Sequence, residues 1–214
     1  MSDLKIVSVV NNFETFNRCI KNNEYLKDFE IICYDNTIEN KGISERYNSF
    51  IDTIDVNDDY WVAFIHQDFM FNENPLKKLQ NLDKNSLYGA IGIAFQLFYL
   101  QFKPKFLFKI NRRCMLGQIF EGEGQRMIGN KVANNPSVKT FDCCCCFIHS
   151  SLLRDKGLRF DENLKFHMYV EDICHTAKKK GISSKIVQLD CRHLSGGVQN
   201  EEFNQAVQYM KKKA

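Results

Sequence analysis

The chain has 214 residues and a mass of 25.0 kDa, with 44% hydrophobic and 26% charged residues. That composition fits one ordinary globular domain, long enough to bury a core without disulfide or metal staples. A net charge of +3 and a pI near 8.3 are too mild to point to nucleic acid.

The N-terminal stretch Leu4 to Asn12, LKIVSVVNN, is a near-continuous apolar run closed by two asparagines. It reads as a buried parallel strand and is too short and polar-ended for a signal peptide. Residues 14–26 carry Phe16, Cys19, Ile20 and Leu26 at helical spacing. Phe29 to Asn36, FEIICYDN, is a second buried strand that reaches Asp35 near its end. Tyr47, Phe50, Ile51 and Ile54 then mark one face of a helix. WVAFIHQD, ending at Asp68, is the third strand. Asn74 and Pro75 open a helix as N-cap and first residue.

The second half is less regular. YGAIGIAF and VKTFDCCCCFIH read as strands, and Lys103 to Pro136, basic and Gly-containing, as long loops walling one side of a site. Leu87 to Phe102 is interrupted by Gln96 and falls short of the roughly 20 apolar residues of a membrane span. A loop from Phe160 runs into a helix stopped by Gly181, and a strand and its exit follow through Gly197. Residues 200–213 form a terminal helix whose Lys211 to Lys213 read as a solvated, dipole-favoured end, with weak attraction to anionic lipid as the alternative.

Nine cysteines without a secretory signal read as reduced thiols, which implies a cytoplasmic protein. Cys143 to Cys146 are contiguous, and neighbours in a strand point to opposite faces. They cannot converge on one ion as spaced zinc ligands do, so they read as core residues.

Strand-helix alternation over the first half argues for a parallel sheet with helices on both faces. Ligands bind such sheets beyond the carboxyl ends of the strands. Asn11 and Asn12, Asp35, and His66 with Asp68 all lie on that rim. No G-x-G-x-x-G follows the first strand. Gly124 to Lys131 only approaches a phosphate-binding loop, with Asn130 where lysine is required. What remains is carboxylate and imidazole. Asp68 with a histidine such as His193 suits a divalent ion that bridges phosphate oxygens. Asp172, near a helix start, suits a general base, with Glu171 beside it as the alternative. For Asp35 and Asp172 a capping role competes with function, and for His193 a structural one.

Five blocks in order then resemble the GT-A glycosyltransferases, family-2-like, over most of the chain. IVSVVNNFETFNRCI is similar to their first strand and helix, and FEIICYDNT to the second strand with its base-contacting aspartate. ISERYNSFID resembles the following helix with its asparagine, here Asn48. WVAFIHQDFMF looks like the strand carrying the metal-binding D-x-D, with His66 in the first position, as in a subgroup with H-Q-D. FDENLKFHMYVEDICHTAKKKG is similar to the acidic block that supplies the base, and CRHLSGG to a later element whose histidine completes the metal shell.

The resemblance implies an α/β, mostly parallel GT-A fold in one domain, 1–214, with a nucleotide-binding half (1–100) and an acceptor and catalytic half (101–214). It implies inverting sugar transfer from a nucleotide-diphosphate donor to a glycan or lipid-linked acceptor, without nucleic acid. Asn11, Asp35, Asn48 and His66 would contact the donor, Asp68 and His193 would hold Mn2+ or Mg2+, and Asp172 or Glu171 would act as base. Peripheral contact with the inner membrane face is compatible with this, since no spanning segment is read. A nucleotide-sugar-binding protein without turnover, and a nucleotidyltransferase acting on sugar phosphates, are the alternatives. The Q-x-x-R-W element of processive synthases is absent, the only tryptophan being Trp61.

Overall fold

The first three apolar runs form one side of a seven-stranded sheet. The computed structural model describes residues 3–94, 115–196 and 200–213. In it β1 (Leu4–Val10), β2 (Glu30–Asp35) and β3 (Trp61–Ile65) pair in parallel, β1 lying between the other two. The sheet continues through β11 (Cys145–His149), β5 (Ser86–Gly89), β12 (Ser183–Ile186) and β9 (Ser137–Val138), in the order β2-β1-β3-β11-β5-β12-β9. Only β11 and β9 oppose the common direction, so five of the seven strands run the same way.

Alternation along these strands divides the core in two. Leu4, Ile6, Ala63, Ile65, Cys145 and Phe147 face one side, with Phe16, Cys19, Ile20 and Leu79 from the helical segments that cover it. Val7, Val62, Phe64, Cys146 and Ile148 face the other. There they meet α2 (Ile43–Ile51), α4 (Ser150–Asp155), α5 (Tyr169–Lys179) and the partly buried face of α6 (Glu201–Lys213). Burying one such Leu, Ile or Phe contributes about 1.5–3 kcal/mol. Half of the cysteine run is core strand: Cys145 and Cys146 begin β11 and are buried, whereas Cys143 and Cys144 form the turn before it, Cys144 buried and Cys143 only partly so; no disulfide occurs among the described residues.

The first helix is shorter than its spacing predicts. Asn12 caps α1 (Phe13–Phe16) by accepting from the Thr15 N–H, and a π-helical turn over Asn17–Lys21 completes it. α3 (Leu76–Leu79) begins one residue later than expected, with Pro75 at the N-cap and the Asn74 side chain accepting from the Leu76 N–H.

A second sheet has the order β10-β6-β7-β13-β4, with β8 on β7. Its strands are β4 (Phe69–Phe71), β6 (Gly92–Ile93), β7 (Met115–Glu121), β8 (Arg126–Asn130), β10 (Thr140–Phe141) and β13 (Cys191–His193). It corrects two sequence expectations. YGAIGIAF and VKTFDCCCCFIH are not single strands: the first passes from β5 into β6 of the second sheet, and the second runs from β9 through β10 of the second sheet back to β11 of the first. The segment expected as long loops holds the β7–β8 hairpin, while 103–114 lies outside the described residues. Two glycines explain why the hairpin is hard to read. Gly117 (φ +85) sits at a bulge where a Cβ would come 2.1 Å from the Ala90 carbonyl oxygen. Gly129 (φ +81) would meet the Gly117 carbonyl oxygen at the same distance. Close backbone approach removes the side chains that would have marked the alternation.

β3 passes straight into β4 through a tight turn, His66 to Phe69, closed by the Phe69 N–H on the His66 carbonyl. This turn is the junction of the two sheets, and the site forms there.

Among the described residues no helix is long and apolar enough to cross a membrane.

Candidate active site

Four elements converge on the His66–Phe69 turn. β11 starts beside it, the Cys144 carbonyl accepting the His66 N–H at 3.1 Å. β13 pairs antiparallel with β4, setting His193 opposite Phe69. The Asp68 carbonyl accepts from the Leu194 N–H, and Asp68 Oδ2 from the Ser195 N–H at 3.1 Å. The start of α5 brings the Tyr169 hydroxyl to 2.7 Å from His66 Nε2.

The outcome is a three-residue cluster. His66 Nδ1 lies 3.4 Å from His193 Nε2, and His193 Nε2 lies 3.3 Å from Asp68 Oδ1. The donor atoms of these three residues all fall within 4.8 Å of one another. Two nitrogen or oxygen ligands about 2.1 Å from a common ion at a tetrahedral angle sit about 3.4 Å apart, so the spacing fits a divalent ion.

Electrostatics sharpen the contrast between the two histidines. Burial, with the adjacent His193, lowers the His66 imidazole to about 4, so it is neutral at pH 7. Burial also opposes charge on His193, but the hydrogen bond and charge of Asp68 outweigh it and raise its pKa. Burial would raise Asp68; bonds from His193 and Ser195 hold its carboxyl well below the usual range instead. Asp68 is therefore ionised, and the set carries one fixed negative charge.

A cleft of about 300 Å³ opens beside the cluster, lined by Asn11, Asn36, Tyr47, His66, Asp68 and Ser195 among others. Gln67, between His66 and Asp68, also lines it. Its Oε1 accepts from the backbone N–H groups of Asn11 and Asn12, each at 2.9 Å, and its Nε2 donates to Asn11 Oδ1 at 2.6 Å. The middle residue of H-Q-D is thus a staple between the exits of β1 and β3. Asp35 ends β2 opposite Val10. Its Oδ1 accepts from the Thr37 N–H and hydroxyl, which lower its pKa.

The two neighbouring acids part company on the helix. The Glu171 carboxylate accepts from the Cys143 thiol at 3.1 Å, and Tyr169, which reaches His66, donates to the carbonyl of that same Cys143. Burial lifts Glu171 to about 7. Asp172 is buried on the side of α6, where Lys213 Nζ lies 2.8 Å from its Oδ1. The expected base is therefore occupied by an ion pair, and Lys213, still 34% exposed at the helix end, joins both Asp172 and Asp161. Asn48 is likewise engaged away from the cleft lining. Its amide donates to the Phe160 carbonyl and Glu162, and its oxygen accepts from the Phe160 N–H. It clamps α2 to the 160–162 turn.

Four residues escaped the sequence reading. Gln67 and Ser195 stood inside quoted motifs, and Tyr169 two positions before Glu171. Asp142 opens the cysteine run, and its charge acts on His66, His193 and Glu171. Position within a motif was the only available signal for the first three; for Asp142 there was none.

The sheet order, the strand-end cleft and the two-sheet junction define a GT-A fold. Solved structures of that class match the chain. S. aureus TarS does so with a TM-score of 0.55 at 12% identity, over 99% of this chain and 39% of that one. TarS 1-349 in complex with UDP gives 0.53 at 14%, over 96% and 63%. GalNAc-T7 with UDP, GalNAc and Mn2+ gives 0.54 at 9%, over 94% and 44%. The chain thus spans 39% to 63% of the length of these neighbours. No family model and no curated protein sequence matches it.

Proposed function

We propose that the protein is a glycosyltransferase that moves a sugar from a nucleoside-diphosphate donor to an acceptor hydroxyl with inversion. The observation that carries the reading is the convergence of His66, Asp68 and His193 at the edge of a strand-end cleft. Neighbours of the same fold were solved with UDP, and one with UDP, GalNAc and Mn2+, which favours a uridine diphosphate sugar as donor.

In this reading Asp35, through its second carboxylate oxygen, and the Asn11 loop hold the nucleoside end. Asp68, His193 and His66 hold a divalent cation. That cation, when bound, offsets the charge that builds on the leaving diphosphate. Glu171 removes the proton from the acceptor hydroxyl. A carboxyl lifted to about 7 is poised for this, because it is both available as base and basic enough near neutral pH. The Cys143 thiol orients it, burial and the nearby acids keeping that thiol protonated. Asp172 keeps a structural part.

Calorimetric titration with UDP, with and without Mn2+, followed by a transfer and hydrolysis assay over a panel of nucleotide sugars, tests this. UDP binding strengthened by Mn2+ and turnover of at least one donor are expected. Failure of every nucleoside diphosphate to bind would remove the reading. Binding without any turnover would reduce the protein to a nucleotide-sugar binder.

A further inference from the structure

The Tyr169 hydroxyl stands between two groups. One is the Cys143 carbonyl at 3.2 Å, which can only accept; the other is His66 Nε2 at 2.7 Å, which can donate or accept. The hydroxyl has a single proton to donate. The arrangement that satisfies both partners gives that proton to the carbonyl and makes His66 Nε2–H the donor. A neutral imidazole protonated at Nε2 has its lone pair on Nδ1, and Nδ1 faces His193 and Asp68.

A proton alone serves that centre poorly. With the His66 Nδ1 lone pair in place, His193 Nε2–H is shared among His66 Nδ1 at 3.4 Å, Asp68 Oδ1 at 3.3 Å and Ser195 Oγ at 3.2 Å. All three are longer than the roughly 2.9–3.0 Å of a good N–H bond. Two imidazole nitrogens and one carboxylate oxygen around such a gap are a nitrogen-rich, borderline donor set. Imidazole suits the later first-row ions, whose affinity for nitrogen sites rises from Mn2+ onward. Mg2+ prefers oxygen and gives up its water reluctantly.

We propose that Tyr169 is a positioning residue that locks His66 as an Nδ1 donor, creating an N2O centre that takes Mn2+ or a later first-row divalent ion and rejects Mg2+. This rests on the metal-assisted reading above and narrows it. His66 is then a full ligand replacing the missing carboxylate of D-x-D.

The full chain is titrated by calorimetry with MnCl2, CoCl2 and MgCl2 in the presence of UDP, and the histidine tautomers of the metal-free protein are read by 15N NMR. Mn2+ and Co2+ bind at least about tenfold more tightly than Mg2+. His66 shows a protonated Nε2. Tyr169→Phe keeps the ring that packs on Tyr47 and Phe160 and weakens Mn2+ binding about 10- to 100-fold, as loss of a ligand-orienting bond does. Equal affinity for Mg2+ and Mn2+, a His66 protonated at Nδ1, or unchanged Mn2+ binding in Tyr169→Phe overturns the proposal alone. No binding of any ion to the wild-type chain overturns the metal-assisted reading with it. The tautomer measurement uses only the wild-type protein, so the proposal stays testable if the variant does not fold.

Discussion

His66 and His193 are 127 residues apart in the chain, yet their facing nitrogens lie 3.4 Å apart. Backbone pairing produces this: β13 lies on β4, and β4 continues the turn that His66 begins. The cluster is therefore held by strands at the meeting of two sheets, a rigid support for the proposed ion site.

Removing a ligand should separate ion binding from folding. Asp68→Asn and His193→Gln are expected to abolish the thermal stabilisation that saturating Mn2+ gives the wild type. At an ion concentration a hundredfold above Kd, that stabilisation is about 2.7 kcal/mol. For a chain of this size it corresponds to roughly 5–10 °C in Tm, readable by scanning calorimetry.

The adjacent acids should behave oppositely. Glu171→Gln is expected to lower kcat by about 10²–10⁴-fold while leaving Tm nearly unchanged. Asp172→Asn is expected to keep turnover and lose about 1–2 kcal/mol of stability, since Lys213 retains Asp161 as partner. Lys213→Met should cost more, about 3 kcal/mol, because it leaves the buried Asp172 carboxylate without its counter-charge. Turnover lost in Asp172→Asn and kept in Glu171→Gln would reverse the assignment.

The pH profile follows from the same residue. As the proposed base Glu171 would act deprotonated, and burial lifts its pKa to about 7. Turnover should therefore rise with pH through about 7 and reach a plateau above it, standing about tenfold lower at pH 6. For stability the sign is set by a folded pKa raised above the unfolded one. Ionised Glu171 is disfavoured by folding, so its contribution falls as pH rises past the unfolded value and levels off above 7. Loss of the limb near 7 in Glu171→Gln is the check.

How far the sequence carried this far depended on whether a signal was local. β1, β2 and β3 are continuous apolar runs closed by polar residues, so both the strands and their rim residues, Asp35, His66 and Asp68, could be read directly. The β7–β8 hairpin could not, because glycines replace side chains where its backbones approach. Nor could the separate partners of Glu171 and Asp172, the Cys143 thiol and Lys213. Neighbours on a helix point about 100° apart, and only packing decides which one faces a site. The bonds of Asn48 were unreadable for a related reason: its partners, Phe160 and Glu162, are 112 and 114 residues away in sequence.

Asn48 gives a further test. Asn48→Ala deletes three bonds, one of them to the Glu162 carboxylate. A loss of about 2–3 kcal/mol is expected from chemical denaturation, with UDP affinity unchanged under folding conditions. Weakened UDP binding in a stably folded variant would return Asn48 to the donor site.

The turn from β3 to β4 is the place where one sheet becomes the other. An ion gripped there would work as a rivet as well as a reagent, tying β3, β4 and β13 at a single point. Occupancy would then be felt along the seam. The amides of Phe69, Leu194 and Ser195, which already bond across it, would exchange with solvent more slowly when the ion is bound. In such a molecule mechanical closure and chemical readiness arrive together.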